Sequence, residues 1–159
     1  LQMANLAATV ANRGYYYIPH IVKEIEGRDS IDRRFYERQY TMVDSVHFIP
    51  IVEGMWRSVN VWGTSRGAYL EGYDVCGKTG TAQILEKGYS NRRHRMSFVG
   101  YFPEENPQYT CICVIHGPQW PYDAGMDCGS VVRHIAEKTM AYAGEYVIKN
   151  GELVMVVKE

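Results

Sequence analysis

A chain of 159 residues, 46% of them hydrophobic, is sized for one domain, and folding would bury roughly 70% of its unfolded surface. Its 17 basic and 18 acidic residues leave a formal charge of −1 with no basic stripe or acidic run, which argues against nucleic acid as a partner. No window approaches ~18 consecutive apolar residues, and no signal-peptide pattern opens the sequence, so neither a membrane span nor a leader is expected within it.

The opening "LQMANLAATVANRG" enters helical periodicity with no capping residue before it, as expected of a chain cut from something longer. Met3, Leu6, Ala7 and Val10 follow i, i+3, i+4, i+7, and Gly14 stands where a terminating glycine belongs. "YYYIPHIVKEIEG" and "RRFYERQYTMVD" are rich in β-branched and aromatic residues around "GRDS" and predict two strands, with Pro19 forcing an edge or a bulge. A second helix is predicted from near Pro50 to before Gly63, with Val52, Met55, Trp56 and Val59 as its apolar stripe. "GTSRGAYLEG" reads as loop.

Three strands are then predicted, at 73–85, 95–103 and 108–116. The turn "PEENPQ" makes the second and third antiparallel. "YTCICVIH" is apolar at both alternating positions, the pattern of a central strand covered on both faces. Past a Gly/Pro/Trp-rich loop at 117–127, Val132, Ile135, Ala136 and Thr139 define a last helix. In "YVIKNGELVMVV" Asn150-Gly151 sits between apolar runs, a hairpin signal in a tail spanning 144–159. Cys111 and Cys113 point to one strand face, poor geometry for a mutual disulfide. No zinc-type spacing occurs, so the four cysteines read as buried free thiols and no metal or cofactor is expected.

"GYDVCGKTGTAQ" fits two patterns. Gly72, Gly77, Lys78 and Thr79 satisfy the phosphate-loop spacing, whose anion site requires a helix opening directly after the lysine. Gly80, Thr81 and Gly88 interrupt any such helix, and the local period is nearer two. On a strand each residue finds a use. Thr79 and Thr81 offer two hydroxyls on one face for a carboxylate, and Lys78 adds a positive charge. Gly80 lets a ligand backbone approach, and the Thr81 amide is a fixed oxyanion donor.

"LQMANLAATVANRGYYYIPHIV", "GMWRSVNVWGT", "CGKTGTAQ", "SFVGYFPEENPQY" and "SVVRHIAEKTMAY", in that order and spacing, resemble the end of the transpeptidase domain of class B penicillin-binding proteins, most closely the septal, division-type members. The resemblance covers about residues 1–143. It implies an α+β fold, an antiparallel sheet flanked by helices as in penicillin-binding proteins and serine β-lactamases. It implies D,D-transpeptidation: a serine attacks the penultimate D-Ala of a peptidoglycan stem peptide, releases the terminal D-Ala and passes the acyl group to a neighbouring amine. β-Lactams would trap the same serine, division-machinery proteins would be partners, and the whole protein would work outside the cytoplasm, anchored by a segment not present here. Lys78 would be catalytic, and Thr79, Gly80 and Thr81 substrate-binding.

The family's nucleophile lies in S-x-x-K, and no S-x-x-K occurs in these residues. Ser58-Val59-Asn60 spells the family's second motif, S-x-N, but falls eighteen residues before Lys78, where the family does not place it; Tyr89-Ser90-Asn91 lies in a polar loop. The chain is therefore expected to carry the substrate strand without the acylating serine, to be inactive alone, and to cover the exposed edge of 108–116 either with a strand of its tail hairpin or, the favoured reading, by self-association. A non-catalytic interaction or structural module keeping the same fold stays open. Arg92, Arg93 and Arg95 around His94, and Trp120 and Tyr122 in the loop after the last sheet strand, are further candidates for contacts at the cleft.

Overall fold

The computed structural model describes residues 1–27, 31–84, 93–143, 146–149 and 152–155. Its centre is a three-stranded antiparallel sheet.

Helix α1 (Gln2–Ala11) ends in a Schellman closure: Arg13 N–H donates to the Val10 carbonyl (3.0 Å) and Gly14 N–H to that of Thr9 (2.9 Å). The left-handed turn is shared by Arg13 (φ 55°) and Gly14 (φ 114°), so the reversal begins one residue before the expected glycine. Ala7 and Thr9 are buried while Met3 and Leu6 face out, so the apolar stripe is only partly covered.

The two strands expected between 15 and 44 shrink to β1 (Tyr15–Tyr16) and β2 (Gln39–Tyr40), paired antiparallel. Pro19 lacks the N–H a ladder needs, Arg33–Phe35 forms a 3-10 turn, and Ile21 is 97% exposed. Strand-forming residue types found no neighbour to pair with. Part of the intervening turn, 28–30, lies outside the described residues.

Helix α2 (Ile49–Asn60) has Pro50 in its first turn and buries Val52, Met55 and Val59, as its stripe predicts. The loop after it is partly buried. Ser65 and Ala68 are fully buried, and a 3-10 turn (Arg66–Ala68) packs against the last helix.

Strands β3 (Cys76–Gln83), β4 (His94–Phe102) and β5 (Tyr109–His116) form the sheet in the order β3-β4-β5. Register runs Cys76↔Tyr101 to Gln83↔His94, and Arg95↔His116 to Phe102↔Tyr109. Among the described residues 108–116 is an edge strand, in line with the open edge expected there, and its apolar alternation reports two covered faces, not two neighbours. Helix α3 (Ala124–Ala143) closes one face. There Met96, Phe98, Phe102, Cys128, Val132 and Met140 are buried almost completely with Val59 and Val75, each such side chain worth about 1.5–3 kcal/mol. On the other face Met55, Cys76 and Tyr101 pack with Val10, Ala11 and Trp56. The tail hairpin is present as β6 (Tyr146–Lys149) and β7 (Glu152–Met155), paired Lys149↔Glu152, with its turn outside the described residues. It forms its own two-stranded sheet and does not extend β5.

Candidate active site

Burial and two hydrogen bonds locate the start of β3. Val75 and Cys76 are fully buried beneath it, Trp56 Nε1–H donates to Asp74 Oδ1 (2.9 Å), and Asn60 Nδ2 donates to the Val75 carbonyl (2.9 Å). The strand then runs unbroken through Lys78, Thr79, Gly80 and Thr81 to Gln83. No helix opens after Thr79, so the anion site of a phosphate loop is not formed.

The phase of the ladder decides what this strand offers. Ile84 N–H donates to the Arg93 carbonyl (2.8 Å), one step beyond the Gln83↔His94 pair. Antiparallel pairs alternate between bonded and non-bonded, so the backbone groups of Ala82, Gly80 and Lys78 face β4. Those of Thr81, Thr79 and Gly77 face away from the sheet. The bond from Gly117 N–H to the His94 carbonyl (2.9 Å) sets the β4–β5 phase consistently, directing even-numbered β4 residues to β5 and odd-numbered ones to β3. Among the described residues no strand covers the outer side of β3. The Thr79 and Thr81 amides thus form an open, pre-oriented donor row.

Side chains complete the edge. Strand alternation puts Thr79 and Thr81 on the α3 side, with Phe98 and Met96, and Lys78 and Gly80 on the opposite side. Lys78, exposed, reaches back across the edge, its ammonium donating to the outward Thr79 carbonyl (2.9 Å). The cation and the two hydroxyls therefore meet at the edge from different faces. The tightest neighbour of Gly80 lies on the sheet face: an added Cβ would stand 2.7 Å from Ser97 Oγ. Gly77 is closer still to its neighbour, since a Cβ there would meet Phe98 Cζ at 2.1 Å. Thr79 Oγ1 lies 3.0 Å from Thr64 Oγ1, a contact between loop and strand that no motif or periodicity signals.

His94, at the start of β4, pairs with Gln83 and hydrogen-bonds the Tyr122 hydroxyl; Trp120, 82% exposed, stacks edge-on to Tyr122 at 5.5 Å. Two of the loop candidates thus stand near the end of β3. Arg95 is a β4 residue, while Arg92, Ser90 and Asn91 lie outside the described residues. Ser58 and Asn60 serve the fold: Ser58 Oγ donates to Ser65 Oγ (2.8 Å), and Asn60 holds the start of β3. All four cysteines are free, Cys76 and Cys128 buried, Cys111 and Cys113 half-buried. Burial pushes the Cys76 thiol up to about 12, so it stays protonated and fills space instead of acting as a nucleophile. Among the described residues no three His, Cys, Asp or Glu side chains gather as metal ligands, and no helix is long and apolar enough to cross a membrane.

Residues 1–141 match the family described as penicillin binding protein transpeptidase domain. The chain is 32% identical over 153 residues to a peptidoglycan D,D-transpeptidase FtsI homolog of Mesostigma viride, covering 86% of this chain and 26% of that protein. It is 33% identical over 123 residues to stage V sporulation protein D of Bacillus subtilis, covering 74% of this chain and 19% of the relative. The chain thus spans about a quarter or less of the length of these relatives. Among solved structures, the apo transpeptidase (TP) domain of Burkholderia pseudomallei penicillin-binding protein 3 superposes with a TM-score of 0.68 at 26% identity, over 89% of this chain and 41% of that one. The fold also matches penicillin-binding protein 3 of the tuberculosis mycobacterium in complex with aztreonam, with a TM-score of 0.70 at 22% identity, over 99% and 37%.

Proposed function

Because this chain belongs to the penicillin-binding protein transpeptidase family, we propose that it supplies the substrate-holding strand of a peptidoglycan D,D-transpeptidase acting in septal cell-wall synthesis. The observation that carries the reading is the phase of β3, which turns the Thr79 and Thr81 backbone groups out to an uncovered edge. An extended stem peptide lies along that edge as an added strand. Its terminal carboxylate accepts from the Thr79 and Thr81 hydroxyls, with Lys78 supplying positive charge and a path for the nucleophile's proton. The Thr81 amide donates to the oxygen of the carbonyl under attack, where charge develops. The serine oxygen bonds to that carbonyl carbon, the amide C–N bond breaks, and D-Ala leaves with a proton. An acceptor amine then takes the acyl group and regenerates the serine. β-Lactams enter by the same edge and stop at the acyl stage.

The serine and its base must lie within hydrogen-bond reach of one another, and these residues hold no S-x-x-K. The chain by itself is inert, and the complete gene product acts on the outer side of the cytoplasmic membrane with division proteins as partners. Residues 1–143 form the transpeptidase portion, with 144–159 as a tail outside it. An isolated chain self-associates through β5.

Fluorescent penicillin followed by denaturing electrophoresis tests this. The complete gene product should carry covalent label, and the 159-residue chain none. An unlabelled complete protein would favour the non-catalytic module, and a labelled chain would require another nucleophile.

A further inference from the structure

Thr64 sits in the loop between α2 and the 3-10 turn, held from three sides. Ser65 N–H donates to the Ser58 carbonyl (3.1 Å) and Ser58 Oγ to Ser65 Oγ (2.8 Å), with Ser65 fully buried. Arg66 Nη1 donates to the Val61 carbonyl (2.8 Å), tying the loop to the end of α2. The first turn of α3 presses on the Thr64 backbone so closely that a Cβ at Gly125 would stand 1.7 Å from the Thr64 carbonyl oxygen. The loop is thus fixed by the fold, and it meets the substrate strand through the 3.0 Å approach of two hydroxyls, Thr64 Oγ1 and Thr79 Oγ1.

Either hydroxyl can donate, but a ligand breaks the symmetry. Thr79 has a single proton and two lone pairs. If it gives that proton to Thr64, it has none for an anion. A carboxylate at the β3 edge accepts only, so binding favours the chain Thr64 O–H to Thr79 Oγ1 and Thr79 O–H to carboxylate, in which each bond polarises the next. We propose that Thr64 is a positioning residue, donating to Thr79 so that the Thr79 proton is committed to the carboxylate of the substrate or of a β-lactam. The inference rests on the transpeptidase reading above and deepens it by assigning a role in recognising one charged group.

The test compares acylation rate constants of the complete gene product with benzylpenicillin and with its methyl ester, which lacks the anion. Thr64→Val should slow the carboxylate form about three- to tenfold and leave the ester rate unchanged, whereas Thr64→Ser should react like wild type. Thr64→Ala, which fills less space, guards against a valine variant that misfolds and should show the same selective loss. Adding Thr64→Val to Thr79→Val should cost nothing further, because the acceptor is already gone. Equal slowing of acid and ester would assign Thr64 a purely structural role and overturn the proposal, as would independent losses in the double variant. Slow Thr79→Val with Thr64→Val at full rate would overturn the positioning role and leave the transpeptidase reading standing. A wild-type protein that penicillin does not acylate would overturn both.

Discussion

β3 and β5 flank the same strand, both are eight residues long, and among the described residues neither has a neighbour on its outer side. Their chemistry differs. Along β3 the side chains pass from fully buried Cys76 to exposed Thr81, Ala82 and Gln83, and the outward backbone groups at 77, 79 and 81 stand among glycine, threonine and lysine. Along β5 the outward groups belong to Thr110, Ile112, Val114 and His116 in a largely apolar run, with Val114 half exposed. An edge decorated with small polar residues and a cation discourages protein strands yet admits a short charged peptide. A flat apolar edge templates association. Under the proposed function the two open edges of one sheet take different partners, β3 a substrate and β5 a protein strand.

The sharpest way to break this contrast is to remove one outward amide. Proline at position 81 deletes an N–H that no ladder bond uses, so Thr81→Pro should leave the sheet folded, as edge positions tolerate proline. Acylation of the complete gene product should nevertheless fall about 10²–10³-fold below that of Thr81→Val, which removes the hydroxyl alone, the usual cost of an oxyanion donor. A folded Thr81→Pro protein acylated at the wild-type rate would remove the Thr81 amide from the mechanism. A smaller effect tests the other edge. Light scattering of the 159-residue chain should show its mass rising from one chain toward two with concentration, and Val114→Lys should hold it at one by placing like charges on the paired edge. A wild-type chain of constant single mass would mean β5 is not the association surface proposed.

Much of this architecture was legible from periodicity. β3, β4, β5 and α2 were placed within a few residues because their alternation or stripe is enforced by one buried core around Phe98, Val59 and Val132. Residues 15–44 were misread as long strands because their β-branched and aromatic content is a propensity, and propensity without a pairing neighbour does not make a ladder. The open edge of β5 was expected from the missing flanking strand and not from its own letters, because side-chain burial reports what covers the faces and is blind to what pairs with the backbone. Lys78, Thr79, Gly80 and Thr81, the residues of the proposed site, were singled out by motif. Thr64 was not, since its contact with Thr79 depends on how a turn packs under α3, which no local pattern encodes. The ladder phase was likewise invisible in the letters, although it determines whether the Thr81 amide faces outward or into the sheet.

That phase can be read directly by amide hydrogen exchange on the 159-residue chain, followed by NMR, with no catalytic serine required. The account predicts an alternating pattern: slow exchange at Lys78, Gly80 and Ala82, whose amides donate to β4, and fast exchange at Thr79 and Thr81, whose amides face solvent. Equal protection of Thr79, Gly80 and Thr81 would mean that the edge is covered, and fast exchange at Gly80 with protection at Thr79 and Thr81 would mean that the phase is reversed. Either result would contradict the assignment of this edge to substrate.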